Sequence, residues 1–170
     1  FIFENEGATG KNELKSMGYD DKLLERVVWF PFRNVEELRG QQVKLLEQII
    51  DKKIKEKVIF LVDSLGMASS KKELEDTLAS KDKKDMSRAG GLASYFRMIP
   101  KSVQMAKTPI VLINHTYKTQ DLFSKTIVSG GEKATLTPRY IVELSKKKLK
   151  KNTSNPEIIG NEFTSHILKS

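Results

Sequence analysis

Three short apolar runs along this chain each pass directly into polar residues. The runs cover residues 1–3, 58–62 and 110–113, and the polar residues that follow them are Glu4, Asn5 and Glu6, then Asp63 and Ser64, then Asn114 and His115. Runs that are apolar throughout and rich in Val, Ile and Phe predict parallel strands buried on both faces. Ligands of open parallel sheets bind just beyond the carboxyl ends of the strands. We therefore expect Glu6, Asp63 and His115 to lie on one rim.

The rest of the pattern alternates between helices and strands. It predicts helices over 11–17, after Asn34, after Ser70 and from about residue 86, and strands over 27–32, over 140–144 and near 163–168. Asn34 and Ser70 each precede a glutamate by three residues, the spacing of a capping box. Pro100 should kink or end the last helix, and residues 116–131 are predicted to be a long polar loop. The order predicts an α/β fold with a mostly parallel, twisted sheet flanked by helices.

Composition narrows the possible classes of protein. The chain has 170 residues, enough for a single domain spanning residues 1–170, and it has no cysteine, so disulfides and thiolate metal sites are excluded. No run approaches the roughly 20 apolar residues of a membrane span, and we expect a cytoplasmic protein with no membrane partner. The net charge of +8 favours an anionic partner such as nucleic acid or nucleotide. A solubilising coat of lysines is the alternative interpretation of the same charge.

Residues 7–12, with the sequence GATGKN, look like a phosphate-binding loop at first sight. A P-loop requires a glycine five residues before its Gly-Lys pair and a Ser or Thr after it. Asn5 and Asn12 occupy those two places here. The segment is therefore predicted to be a loop that opens the following helix.

The polar residues after the strands suggest nucleotide chemistry. Asp63 is placed like a Walker B aspartate, which holds Mg²⁺, although an Asp there could also cap a turn. Glu6 could deprotonate an attacking water. His115 could donate a hydrogen bond to a phosphate, with a purely structural histidine as the alternative.

The loop over 116–131 combines the two side-chain types of a single-strand binder. It carries basic and aromatic residues, namely Tyr117, Lys118, Phe123 and Lys125. Lysines can contact phosphates and aromatic rings can stack on bases. A surface loop with incidental lysines is the alternative.

Several short motifs occur in one order and spacing that resemble a known family. They are VDSLG at 62–66, ASSKKE at 68–73, DMSRA at 85–89, SYFR at 94–97 and INHTYKTQ at 113–120. Together they resemble the RecA recombinase family, most closely the phage recombinases of the UvsX type. The resemblance covers nearly the whole chain and implies a RecA-like P-loop NTPase core.

The resemblance also implies roles for individual residues. Asp63 and Ser64 would contact the nucleotide, Asp63 acting on Mg²⁺ through water, and Glu6 would activate the attacking water. His115 would sense the γ-phosphate and pass its state to a DNA-binding loop over 116–131. Another DNA-binding loop, around 80–88, would contribute Lys83, Lys84 and Arg88. Lys169 would reach the ATP of a neighbouring subunit.

The implied activity is ATP-dependent. Such a protein would bind single-stranded DNA, assemble into a helical filament and exchange strands with double-stranded DNA. The family's phosphate loop precedes the strand that begins at residue 1, and the chain stops at residue 170 without a closing element. We therefore expect a piece truncated at both ends, with little ATPase activity of its own. Glu13 stands where the family stacks an aromatic ring on adenine, so the segment departs from the family's pattern at this contact. Two alternatives are a RecA-fold helicase or clock-type ATPase, and a non-catalytic RecA-like DNA-binding paralogue.

Overall fold

The structure is a computed structural model that describes residues 1–7, 9–80, 87–118, 126–150 and 158–170. The chain divides into two compact units, Phe1–Ala134 and Thr135–Ser170. The first unit holds the parallel sheet and most of the helices, and the second is a long two-stranded ribbon.

A four-stranded sheet is the centre of the first unit. Its strands are β1 (Ile2–Glu4), β2 (Trp29–Pro31), β3 (Phe60–Asp63) and β4 (Ile110–Leu112), and they lie in the order β2-β1-β3-β4. All three neighbouring pairs are parallel. The predicted α/β class with a parallel sheet flanked by helices is confirmed.

Two long helices provide most of the core on one face of this sheet. They are α3 (Val35–Ile50) and α5 (Ser87–Ala106), and the shorter helices of the unit are α1 (Lys11–Ser16), α2 (Asp21–Leu24) and α4 (Lys71–Leu78). Phe3, Phe60 and Val62 from the sheet are buried against Leu38 and Tyr95 from the long helices. The predicted caps are present, since the Asn34 and Ser70 side chains accept hydrogen bonds from the backbone three residues on, at 2.8 and 2.9 Å.

The second face of the sheet differs from the prediction of strands buried on both sides. Ile59, Val111 and Ile113 are 45%, 50% and 50% exposed, although Ile2 on the same face is buried. The prediction was wrong for β4 and for Ile59, the residue just before β3. Apolar runs indicate strand formation, but they do not show which part of the chain covers each face.

Pro100 does not end its helix, because α5 continues through Pro100 to Ala106. A kink at Pro100 stays a prediction. Buried Phe96 and Ile99 precede the proline, and partly buried Val103 packs on the same core after it. Packing on both sides of Pro100 outweighs the local cost of about 3 kcal/mol for proline inside a helix.

The segment predicted as one long loop contains a β-hairpin. Strand β5 (Thr116–Lys118) pairs antiparallel with β6 (Thr126–Val128), and α6 (Glu132–Leu136) follows. In the second unit, β7 (Ile141–Lys150) pairs antiparallel with β8 (Ile158–Lys169), both longer than predicted. None of the helices in the described ranges is both long and apolar enough to span a membrane.

Candidate functional site

The carboxyl ends of β1 and β3 are joined by hydrogen bonds that continue beyond the strands. Glu4 pairs with Asp63 in the parallel register, and the Asn5 N–H donates to the Asp63 carbonyl at 3.1 Å. The Ser64 N–H in turn donates to Asn5 Oδ1 at 2.9 Å. These bonds fix the backbone of the two strand ends side by side, so the residues that follow are held next to one another.

Glu6, Ser64 and His115 form a chain of polar contacts at this edge. The Ser64 hydroxyl donates to Glu6 Oε1 at 2.5 Å and lies 3.2 Å from His115 Nε2. His115 Nε2 is 3.7 Å from Glu6 Oε1. A hydroxyl has one proton to donate. Because Ser64 gives that proton to Glu6, a hydrogen bond between Ser64 and His115 requires the imidazole to donate from Nε2.

Access to solvent differs along this chain of contacts. Ser64 is buried, whereas the side chains of Glu6 and His115 are 34% and 52% exposed. A buried hydroxyl therefore links two side chains that a ligand or a water could reach.

Gly66 makes room for the His115 ring. A Cβ atom built on Gly66 would lie 2.8 Å from the backbone nitrogen of His115 and 2.9 Å from its Cγ, and closer still to Cδ2. Real Cβ atoms do not approach other atoms this closely, so the position requires glycine. The sequence motif at 62–66 contains this glycine, but its spacing did not show that His115 lies against it.

Asp63 makes a contact that the sequence did not suggest. Its Oδ2 accepts a hydrogen bond from Thr9 Oγ1 at 2.9 Å, and the Thr9 carbonyl accepts one from the Trp29 indole at 3.1 Å. The carboxyl thus sits at the predicted edge, held by Thr9 rather than by Glu6 or His115. Sequence reasoning missed Thr9, although it belongs to the segment rejected as a phosphate loop.

The hairpin begins directly after His115, and hydrogen bonds join the residue that closes it to His115 and Asn114. The Ser129 N–H donates to the His115 carbonyl at 2.9 Å, and Asn114 Nδ2 donates to the Ser129 carbonyl at 2.7 Å. Tyr117 is exposed on β5, and Lys118 is the last residue of that strand. Phe123 and Lys125, also predicted to bind DNA, lie outside the described residues.

Arg88 is partly buried, and its guanidinium connects two loops. Nε donates to the Ala68 carbonyl at 2.7 Å, and Nη2 donates to the Gly66 carbonyl and to Ser129 Oγ at 3.3 Å. The side chain thus joins the loop after β3 to the residue after the hairpin. Its predicted contact with DNA stays a prediction, and Lys83 and Lys84 lie outside the described residues.

Lys169, predicted to reach a neighbouring nucleotide, is at the end of β8 in the second unit. Its ammonium donates to the carbonyls of Thr135 and Leu136, at 3.2 and 2.5 Å, at the end of α6. A cation at a helix carboxyl end is favourable on its own account. The intersubunit role of Lys169 stays a prediction.

The carboxylates at this edge could bind Mg²⁺ together with waters and phosphates. In the part of the chain that the structure describes, they do not form a site in which protein side chains alone would hold a metal. Within the described ranges, no three His, Asp or Glu side chains gather into a metal-binding group. Mg²⁺ is usually held by one or two carboxylates together with waters and substrate phosphates. Asp63, with one oxygen bonded to Thr9, could supply such a carboxylate.

The fold and the site define a parallel α/β protein with acidic and imidazole side chains at neighbouring strand ends. A comparison with models of protein families found no match. The chain is similar to a protein of Enterobacteria phage T4 named "Recombination and repair protein", with 36% identity over 157 residues. That alignment covers 92% of the chain but 38% of the relative, so the chain spans well under half of the T4 protein.

Proposed function

We propose that this chain is the ATPase core of a DNA recombination and repair protein of the RecA type. The observation that carries the proposal is the contact chain from Glu6 through Ser64 to His115, at the base of a hairpin where DNA is expected to bind. The likeness to the T4 recombination and repair protein supports the same assignment. The intact protein would bind single-stranded DNA, form a filament and exchange strands at the expense of ATP.

In this proposal Glu6 is the general base for hydrolysis. The Ser64 hydroxyl holds Oε1, which orients the carboxylate and leaves Oε2 to accept a proton from water. Asp63 would hold Mg²⁺ through water, and the metal would supply the charge that stabilises the phosphates during transfer. The amides and lysine of a phosphate loop are expected from a part of the intact protein outside these 170 residues.

His115 would connect the nucleotide to the DNA. Its ring contacts Ser64 while its carbonyl accepts a hydrogen bond from the residue that closes the hairpin. A change at the ring therefore reaches the hairpin through one residue. Tyr117 and the lysines of the hairpin would contact the bases and phosphates of single-stranded DNA.

The test is hydrolysis of ATP by the intact protein with single-stranded DNA present. Glu6→Gln keeps the shape of the side chain but removes the negative carboxylate that would accept the proton. We expect turnover to fall by at least ~100-fold. Asp63→Asn should reduce hydrolysis as well and shift the Mg²⁺ dependence to higher concentration. Glu47→Gln, on the exposed side of α3, is the matched control and should leave turnover unchanged.

Unchanged turnover in Glu6→Gln would refute the assigned base. Filaments seen by electron microscopy and a strand-exchange assay then separate the possible classes of protein. DNA-stimulated hydrolysis without strand exchange would favour a helicase or clock-type ATPase. DNA binding without hydrolysis would favour a non-catalytic paralogue.

A further inference from the structure

A groove with a cavity volume of about 810 Å³ lies at the amino-terminal ends of β3 and β4. This is the end of the sheet opposite Glu6 and His115. The groove is bounded by the end of α3, the turn that leads into β3, and the turn between α5 and β4. It is lined by Ile49, Lys52, Ile54, Lys55, Glu56, Lys57, Val58, Ile59, Ala106, Lys107, Thr108 and Pro109.

The floor of this groove is apolar. Ile54 and Val58 are partly buried, and nearly half of Ile59 is exposed to solvent. A partner that covered this floor would gain free energy in proportion to the apolar area it removed from water. No aromatic ring is among the lining residues, so the groove offers nothing on which a nucleic-acid base could stack.

The rim of the groove is strongly basic. Four lysines face one glutamate, and the Glu56 carboxylate is turned back onto the backbone N–H of Lys55 at 3.1 Å. Across the described residues, no carboxylate lies within 4.0 Å of the ammonium groups of Lys52, Lys55, Lys57 or Lys107. Neighbouring Lys53, by contrast, is paired with Asp51 at 3.0 Å. Among the described residues, the rim therefore carries four unpaired lysines and a net charge of +3 around an apolar floor.

We propose that this lysine-rimmed groove docks an acidic segment of a partner protein that also carries apolar side chains. Carboxylates of the segment would meet the lysines, and its apolar side chains would cover Ile54, Val58 and Ile59. A DNA strand would satisfy the charge but would bring no apolar group to the floor. Attraction between opposite charges would also speed the encounter of the two proteins.

Two of the rim lysines allow a test that does not disturb folding. Lys52 and Lys107 have φ angles of 58° and 51°, in the left-handed region that favours glycine. The double substitution Lys52→Gly/Lys107→Gly removes two charges and suits the backbone better than lysine does. Loss of binding in this variant could not be attributed to misfolding.

The probe is a fluorescein-labelled synthetic peptide in which leucines alternate with pairs of glutamates. Its affinity is measured from the fluorescence anisotropy of the peptide as the 170-residue chain is added. The charge reversal Lys55→Glu/Lys57→Glu should weaken binding by about tenfold. The matched control Lys44→Glu/Lys101→Glu changes the net charge equally at exposed sites outside the groove, and should have little effect. A peptide of glutamates alone, with the same charge, should bind more weakly because it cannot cover the floor.

The location of binding can be read independently because the chain has no cysteine. A single Glu56→Cys substitution carries an environment-sensitive dye at the rim, and its emission should change as the peptide binds. Binding without any change in the dye would overturn the proposal.

Three further outcomes would also overturn it. The first is equal loss of binding in the control and the groove variants, which would indicate non-specific charge attraction. The second is unchanged binding in Lys52→Gly/Lys107→Gly. The third is a single-stranded oligonucleotide that displaces the peptide and loses the same affinity in Lys55→Glu/Lys57→Glu, which would make the groove a nucleic-acid site.

Discussion

Replacing Gly66 with alanine tests the packing on which the candidate site depends. The added Cβ would lie 2.8 Å from the His115 backbone nitrogen and 2.9 Å from its Cγ. Carbon atoms in favourable contact stay about 3.5 Å apart, so Cγ must retreat by roughly 0.6 Å. Part of this clash involves backbone, so a change of rotamer at His115 alone cannot relieve it.

The size of the effect follows from the kind of clash. Forcing an extra carbon into packed surroundings costs about 1–3 kcal/mol of stability. The same displacement would lengthen the 3.2 Å contact between His115 Nε2 and Ser64 Oγ. We therefore expect Gly66→Ala to destabilise the chain and to release His115 from Ser64.

Urea titration of the whole chain measures the first effect, and NMR of the histidine rings measures the second. The chain has only two histidines, and His166 lies in the second unit, where it serves as an internal reference. The His115 ring signals should shift while those of His166 stay in place. Gly40→Ala is the matched control, since Gly40 is exposed inside α3 with no atom within 4 Å of its added Cβ. Alanine there should raise stability by about 0.5–1 kcal/mol. Equal stability and unshifted His115 signals in Gly66→Ala would refute the packing argument.

Three further predictions concern stability and are checked by urea titration. Tyr95→Phe removes the buried hydrogen bond of 2.8 Å to Gln42 Oε1 and should cost about 1–3 kcal/mol, most of which the double variant Tyr95→Phe/Gln42→Leu should restore; a double variant no more stable than the single one would contradict this. Asn34→Ala removes the α3 cap that accepts from the Glu37 N–H and should cost about 0.5–2 kcal/mol, whereas Asn34→Ser should cost much less. Arg88→Lys keeps the charge but cannot reproduce three directed contacts, and should cost about 1–3 kcal/mol. Wild-type stability in Arg88→Lys would show that charge alone suffices.

The sequence was most informative where the chemistry is local. Asn34 and Ser70 could be predicted as helix starts from the sequence. Each cap accepts a hydrogen bond from a backbone N–H only three residues further on. The strands over 58–62 and 110–113 were predictable as parallel because they are apolar and separated by helices. The carboxyl ends of such strands share an edge, which brought Glu6 and His115 within 3.7 Å as expected.

The sequence was least informative where one segment packs on another that is distant in the chain. The contact of Thr9 with Asp63 joins residues 54 positions apart, and no local pattern encodes it. The same holds for Pro100, whose helix is kept intact by a core formed largely from other segments. Local propensity gives a weak preference at such positions, and packing decides the outcome.

The arrangement at the strand ends makes the site dependent on the register of the sheet. Glu6 follows β1, Ser64 follows β3 and His115 follows β4 by no more than three residues, so few rotatable bonds separate each side chain from the sheet. A relative slip of one residue between parallel strands moves a strand end by about 3.3 Å, which exceeds the tolerance of a hydrogen bond. The buried side chains that fix this register, Phe3 and Phe60, therefore support the site without touching it. Loss of packing at either ring should loosen the contact between Glu6 and Ser64 before the sheet itself unfolds.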